Sequence, residues 1–160
     1  MKALLVPSIA AKRVTSLRSS EANALLGEIE QTHETLRTCF REMEQVLAHP
    51  NLDAAALTSM RLKLAGIRLT RGPLITRVAD VLAGNVTQDE QAMLEELRSS
   101  HQRLLQTATA HTSRWTLDAI AGNWSQYRSE TRELMRKWVS KAEREQRLVY
   151  PLVRRCAEAG

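Results

Sequence analysis

The chain has 160 residues, of which 43% are hydrophobic, and a formal net charge of +5. This length and composition support one buried core in a single domain, and no apolar stretch is long enough to span a membrane. Glycine and proline are scarce, aromatic residues make up 4% of the chain, and good helix formers dominate the rest. We therefore predict an all-α, soluble protein rather than a sheet or membrane protein.

The two cysteines, Cys39 and Cys156, form neither a CxxC motif nor a regular series of spacings. Such a pair favours reduced thiols over a disulfide framework or a zinc site. The short apolar run at the start of the chain is interrupted by Pro7, which is too early for a signal peptide. Together these features predict a cytoplasmic protein.

An N-terminal arm over residues 1–18 is predicted to precede the first helix. Ser19 or Ser20 can cap that helix, and Pro50 ends it. Apolar residues recur along it at steps of three and four: Ile29, Leu36, Phe40, Met43 and Leu47. His33 fills the one gap in this series, so it is predicted to face the core.

A second helix is predicted to start after Asn51 or Asp53 and to stop at Gly84. Its inner face carries the apolar residues Leu57, Met60, Leu64, Ile67, Leu74, Val78 and Val81. The missing member of that series is Arg71. Because Pro73 removes a backbone hydrogen bond, a kink or a break between two shorter helices is expected there.

Thr87 and Glu90 have the spacing of a capping box and predict the start of a third helix. Its apolar residues are Leu94, Leu97, Leu104, Ala108 and Trp115. His101 and His111 fill the gaps in that series. We therefore expect both histidines on the inner face of the third helix.

Gly122 and Asn123 mark the last turn, where Asn123 can cap a fourth helix with Gln126 at the capping-box position. The inward series of this helix is Trp124, Tyr127, Thr131, Leu134, Trp138, Lys141, Glu145, Leu148 and Leu152. Lys141 and Glu145 stand four residues apart, so their side chains can touch.

Short turns make successive helices antiparallel, which predicts an up-down-up-down four-helix bundle over residues 19–158. Counted from the turns, the polar interruptions fall at one height: His33, Arg71, His101 and Lys141, with Glu145 one turn along. His111 lies about 15 Å from them at about 1.5 Å per residue, and is predicted to be a core histidine near a helix end. Helix bundles build metal or ligand sites in such polar layers.

This pattern resembles the hemerythrin-like family, also called HHE cation-binding domains. The resemblance rests on the helix lengths and turns, on inward histidines at His33 and His101, and on residues 145–152 (EQRLVYPL). In the family, a ligand Glu on the fourth helix precedes a similar run that ends in Tyr-Pro-Leu. The aromatic stretch from His111 through Trp115 and Trp124 to Tyr127 looks like bacterial members.

The resemblance implies a pair of irons, held in part by a His-x-x-x-Glu motif on each of the second and fourth helices. Here the matching pairs are Arg71 with Ile75 and Lys141 with Glu145. Three of these four positions therefore carry a residue of a different type from the family's ligand. The sequence departs from the family at the metal site.

Three interpretations of the layer follow. In the first, which we favour, Arg71 and Lys141 supply the positive charge that the irons provide in the family, and Glu145 is their buried partner. In the second, the surplus positive charge holds an anion or a small polar ligand. In the third, His33, His101 and Glu145 bind one divalent metal such as iron. Fixed positive charges beside a dication disfavour the third, so we predict no cofactor.

The last third of the chain carries the basic excess, and Arg128, Arg132 and Arg136 repeat every four residues. Interspersed acidic residues and the lack of a helix-turn-helix pattern favour a solvated or partner-binding face over nucleic-acid binding. The aromatic residues near the third turn are expected to close the core, with a ligand pocket as the alternative: Trp115, Trp124, Tyr127 and Trp138.

The sequence shows no nucleophile and base at meaningful spacing, no glycine-rich phosphate loop and no paired carboxylates in the core. We therefore predict that the chain is not an enzyme. The hypothesis is a hemerythrin-like bundle with a degenerate metal site that acts as a binding or regulatory module for a protein partner or a small polar ligand. The alternatives are an oxygen- or iron-binding protein with a reduced ligand set and a homo-oligomeric interaction scaffold.

Overall fold

The structure is a computed structural model that describes residues 9–159, with side chains from residue 18 onward. Over this range the chain is all-α, and no strand occurs in it. The helices are α1 (Ile9–Ala48), α2 (Ala54–Leu82), α3 (Gln88–Arg114), α4 (Leu117–Gly122) and α5 (Trp124–Glu158). None of these helices is long and apolar enough to cross a membrane.

Helix α1 begins at Ile9, so the predicted start at Ser19 or Ser20 is wrong. Ser19 lies inside the helix and does not cap it. Its hydroxyl donates a hydrogen bond to the carbonyl of Ala157, near the end of α5. This contact places the early part of α1 beside the last residues of α5.

The predicted arm therefore overlaps α1 over residues 9–18, whereas residues 1–8 lie outside the described part of the chain. The sequence explains the early start of the helix. Between Pro7 and Gly27 there is neither proline nor glycine, so no residue in this stretch breaks the helical backbone.

Helix α2 begins after Asp53, whose carboxylate accepts a hydrogen bond from the Ala56 amide at 2.9 Å. The helix continues through Pro73, so the predicted break into two shorter helices is wrong. The carbonyl that loses its helical partner belongs to Leu69, which is 79% exposed, so solvent can bond that carbonyl. The kink at Pro73 stays a prediction.

The capping box of α3 is confirmed. The Glu90 amide donates to Thr87 Oγ1 at 3.2 Å, and the Thr87 amide donates to Glu90 Oε2 at 2.8 Å. Helix α3 ends at Arg114, and the short helix α4 follows it. Thr116 caps α4 by accepting a hydrogen bond from the Ala119 amide at 3.2 Å. The apolar periodicity alone gave no sign of this extra helix.

The side-chain cap predicted for α5 does not form. Asn123 precedes α5, but its side-chain amide donates to the Ala119 carbonyl at 3.3 Å and makes no cap to α5. Gln126 instead donates to Glu130 at 2.9 Å. The hydrogen bond to Ala119 directs the Asn123 side chain back toward α4, so its oxygen does not accept from the first amides of α5.

The core consists of two clusters of buried apolar side chains. Helix α1 packs most extensively against α2 and α5, while α3 packs mainly against α5. The first cluster, which we call the aromatic cluster, includes Phe40, Met43, Trp115, Tyr127 and Trp138. The second, the aliphatic cluster, includes Leu25, Ile29, Val78, Leu97 and Val153. The prediction that the aromatic residues close the core is confirmed for the buried residues of the first cluster.

Two arginines of the series Arg128, Arg132 and Arg136 bond carbonyl groups at the end of α1, a helix that has no basic residue in its own last turn. Arg128 Nη1 donates to the carbonyls of Leu47 and His49 at 3.2 and 3.3 Å. Arg132 Nη2 also donates to the Leu47 carbonyl, at 3.3 Å. The last carbonyls of a helix lack helical partners, so both arginines satisfy groups of this chain.

Candidate functional site

All five predicted site residues are buried between the two clusters, and none is more than 8% exposed. We call them the polar layer: His33, Arg71, His101, Lys141 and Glu145. On each long helix the layer separates the two clusters: Ile29 and Leu36 flank His33, Ile67 and Leu74 flank Arg71, Leu97 and Leu104 flank His101, and Trp138 and Val149 flank the α5 pair. The interruptions in the apolar series therefore form one interior plane.

Glu145 is the centre of the polar layer. Its Oε2 accepts hydrogen bonds from His33 Nε2 at 2.8 Å and from Arg71 Nη2 at 2.6 Å. Its Oε1 accepts a hydrogen bond from Lys141 Nζ, one helical turn earlier on α5. One carboxylate thus joins α1, α2 and α5, and both of its oxygens are used by donors of this chain.

These bonds fix the tautomer of His33. An ionised carboxylate can only accept hydrogen bonds, so His33 Nε2 carries the proton. His33 Nδ1 then accepts the hydrogen bond from the Tyr150 hydroxyl. The two rings also stack, with centroids 5.5 Å apart and planes 16° apart. His33 is thereby held at both nitrogens and on one face.

His101 lies in the polar layer without joining its hydrogen bonds. Neither ring nitrogen has a partner among the described residues. The imidazole meets Trp138 edge to face, with ring centroids 5.8 Å apart. The Arg71 guanidinium carbon lies 6.0 Å from the same Trp138 ring. His101 therefore contacts Trp138 rather than the hydrogen-bonded group around Glu145.

Burial lowers the pKa of each basic group in the polar layer. It lowers the pKa of His33 and of His101 to about 3, with repulsion from Arg71 and Lys141 as a smaller cause, so both imidazoles are neutral at neutral pH. Burial lowers the pKa of Arg71 to about 10, which leaves it protonated. It also lowers the pKa of Lys141 to about 7, whereas the contact with Glu145 favours its charged form.

The polar layer does not fit a metal ion. Among the described residues, no three His, Cys, Asp or Glu side chains lie close enough together to hold one. His33 and Glu145 are adjacent, but the structure does not bring His101 into a ligand group with them. Arg71 and Lys141 both contact Glu145, so a divalent ion at this carboxylate would have to displace two cations or tolerate their repulsion.

A cavity of about 70 Å³ lies on the aromatic side of the layer. Its border includes three arginines of α2, namely Arg61, Arg68 and Arg71, and we call it the arginine cavity. The remaining border is mostly apolar. No Asp or Glu is part of it.

A second cavity, of about 110 Å³, lies on the aliphatic side of the layer. Glu95 and Glu145 border it together with Arg71 and Arg98, and we call it the glutamate cavity. Its acidic and basic residues are equal in number. Arg71 borders both cavities and thus separates them.

His111 lies apart from the polar layer, in the last turn of α3, and is half-buried. Its Nε2 is 3.0 Å from Thr131 Oγ1, and its ring stacks on Tyr127 with centroids 5.5 Å apart. Burial lowers the pKa of His111. These contacts agree with the expected core histidine near a helix end, and they place His111 in the wall of the arginine cavity.

Sequence reasoning missed the roles of Tyr150, Arg61 and Arg68. One available signal was charge along the second helix, since residues 54–79 contain five basic residues and no acidic one. The steps of seven and three from Arg61 through Arg68 to Arg71 place them on one helical face. A basic face without nearby acids predicts cations that lack partners within their own helix.

No protein-family model, no curated protein and no solved structure matches this chain. The resemblance to the hemerythrin-like family therefore rests on the residues quoted from the sequence. The function has to be argued from the site.

Proposed function

We propose that this chain is a hemerythrin-like antiparallel bundle with a degenerate metal site, which acts as a non-catalytic binding or regulatory module. The bundle would consist of α1, α2, α3 and α5 in up-down-up-down order. Long-range contacts support that arrangement. On α1 and α2, Glu28 pairs with Arg77 and Glu42 with Lys63, so residue numbers rise on one helix as they fall on the other.

Two further pairs of neighbouring helices follow the same rule. Between α1 and α5, the contacts join Ser19 to Ala157 and Leu47 to Arg128. Between α3 and α5, they join Glu90 to Arg155 and His111 to Thr131. Each pair of contacts has the order that an antiparallel arrangement requires.

The observation that carries the functional proposal is the bonding of Glu145. This residue matches the family's ligand Glu on the fourth helix, yet here it accepts from Arg71 and Lys141, which stand at family histidine positions. The two cations neutralise the buried carboxylate in place of a metal. The cavities on both sides of the layer then remain as interior space in which a small molecule can bind.

The proposal is tested by rebuilding the ligands that the family pattern implies. The combined variant Arg71→His, Ile75→Glu and Lys141→His restores a His-x-x-x-Glu motif on both helices. We expect this variant to bind iron and to gain an absorption band that differs between air and nitrogen, while the wild-type chain gains none. Iron content and visible spectra measured on the same samples give the answer.

A matched control removes the same charges without adding ligands, as Arg71→Met with Lys141→Met. It should stay free of iron. A rebuilt variant that is helical by circular dichroism and still binds no iron would contradict the hemerythrin-like register. Stoichiometric iron in the wild-type chain would contradict the degenerate site itself.

A further inference from the structure

The arginine cavity is an apolar chamber with a charged border. Its walls come from the four long helices and include Leu36, Phe40, Ile67, Met135 and Trp138. Its volume of about 70 Å³ is several times the space that a single water needs. Because apolar walls offer water few hydrogen-bond partners, the chamber suits an apolar group better than solvent.

The charge at this cavity has one sign. Arg61, Arg68 and Arg71 border it, and no carboxylate does. Arg61 extends from α2 to α3, where its Nη2 donates to the Thr112 carbonyl at 3.1 Å. The glutamate cavity lacks this imbalance, since its two arginines are matched by two glutamates. Of the two cavities beside the polar layer, the arginine cavity is therefore the one that favours an anion.

Arg71 has a buried donor without a partner, and Arg68 has no acidic partner among the described residues. Arg71 is 3% exposed, and its Nε has no hydrogen-bond partner among the described residues. Arg68 is half-buried, and burial, with the nearby charge of Arg61 as a smaller cause, lowers its pKa. No carboxylate in the described part of the chain forms an ion pair with Arg68. Buried donors and cations without partners are costly, and a bound anion would satisfy them.

We propose that the arginine cavity binds a short-chain organic monocarboxylate, with its apolar chain against Phe40 and Trp138 and its carboxylate at Arg68 and Arg71. The inference rests on the proposed function and gives the binding module its ligand class. A planar carboxylate matches the fork of guanidinium donors. The apolar walls reward a hydrocarbon chain, and the small volume excludes a long one.

The test is a calorimetric titration of butyrate, whose short chain suits the small volume, into the full chain. Two further ligands test the carboxylate and the hydrocarbon chain separately. Acetate has the carboxylate without the longer chain, and butanamide has the chain without the charge. We expect saturable binding of butyrate and at least about tenfold weaker binding of each of the other two.

Two matched arginine variants locate the site. Arg68→Met removes a border cation of the arginine cavity, and it is expected to weaken butyrate binding at least about tenfold. Arg98→Met removes a cation of the glutamate cavity and should leave the affinity within about twofold. Arg68 is half-buried and Arg98 is exposed, so a Met side chain can replace either without leaving a fully buried gap, and both variants should fold. A third variant, Ala108→Leu, fills the arginine cavity and should abolish binding.

Several outcomes would overturn the inference: no butyrate binding by the wild-type chain, equal binding of butanamide, or unchanged affinity in Arg68→Met. Iron content is measured on the same wild-type sample. Iron-free protein that fails to bind butyrate contradicts this inference alone. Protein that carries stoichiometric iron contradicts the proposed function, whether or not it binds butyrate.

Discussion

The Glu145 group in the core and the Glu44 pair near the end of α1 use the same chemistry in different surroundings. Arg132 reaches Glu44 through Nε at 2.9 Å and Nη2 at 2.6 Å, as close a contact as Arg71 makes with Glu145. The Glu145 side chain is 11% exposed, whereas that of Glu44 is 49% exposed. Geometry is therefore similar at the two sites, and burial differs.

This difference decides what each pair contributes. An exposed ion pair is screened by water and contributes about 0 to 1 kcal/mol. In the core, each charge depends on its partner because water is excluded, and removing one partner costs about 3–5 kcal/mol. The arginines near the end of α1 act mainly by bonding its carbonyls, while Glu145 makes the burial of Arg71 and Lys141 tolerable.

The largest expected effect comes from Glu145→Gln. Arg71 and Lys141 would lose their buried counter-charge, so the free energy of unfolding should fall by about 3–5 kcal/mol. Glu44→Gln is the matched control, with an expected loss under about 1 kcal/mol. Urea denaturation of both variants gives the comparison. Equal losses at the two sites would mean that burial does not distinguish them.

A second substitution should restore part of the lost stability at Glu145, but not at Glu44. Adding Lys141→Met to Glu145→Gln removes a cation that has no remaining counter-charge, so we expect about 1–3 kcal/mol of stability to return. Adding Arg132→Met to Glu44→Gln should return nothing measurable, because that arginine is partly exposed. A double-mutant cycle at each site measures the coupling. Absence of rescue in the core would show that Lys141 is neutral there.

The dependence of stability on pH should also differ between buried and exposed histidines. The pKa of His101 is lowered to about 3, so between about pH 6.5 and 3 the unfolded chain binds a proton that the native chain does not. Stability is therefore lost as the pH falls through this window. His101→Leu should reduce the slope of the free energy of unfolding against pH by about 1.4 kcal/mol per pH unit in this window.

The matched control is His49→Leu, which removes an exposed histidine, so the difference in slope between the two variants measures the effect of burying His101. At neutral pH, His101→Leu should also be neutral or stabilising, because the imidazole nitrogens it removes have no partner among the described residues. A steeper acid slope in His101→Leu would contradict the neutral buried imidazole.

The smallest effect is expected at the end of α1. Arg128→Met removes the hydrogen bonds to the Leu47 and His49 carbonyls and the stacking of the guanidinium over Trp124. These groups are near solvent, so the loss should be about 1 kcal/mol. Thermal denaturation measures it, with Arg136→Met as the control. A loss of stability as large as that of Glu145→Gln would contradict the expectation that burial makes the Glu145 bonds the stronger contributors.

Composition, periodicity and capping residues were enough to predict the all-α class, the start of α2 and α3, and the burial of the polar layer. These features depend on which residues recur at steps of three and four, and on short caps such as Thr87 with Glu90. Such signals are local, so the sequence displays them directly.

The features that were missed depend on competition or on distant partners. The sequence around Asn123 is suitable for a helix cap, but its side-chain amide donates a hydrogen bond to the Ala119 carbonyl of α4 instead. Ser19 is also of a residue type that caps helices, but α1 begins earlier, at Ile9, because no residue between Ile9 and Ser19 breaks the helix. The bond from Tyr150 to His33 and the cavity beside Arg68 arise only when separate helices pack. No single segment carries information about such contacts.

We propose that Arg71 and Lys141 take the place of a metal at Glu145. The measurement that decides this is the iron content of the wild-type chain expressed in iron-supplemented medium, together with its visible spectrum under air and under nitrogen. We predict folded helical protein without stoichiometric iron and without an oxygen-sensitive band. Near-stoichiometric iron with such a band would contradict the proposal, because it would mean that His33, His101 and Glu145 still bind metal.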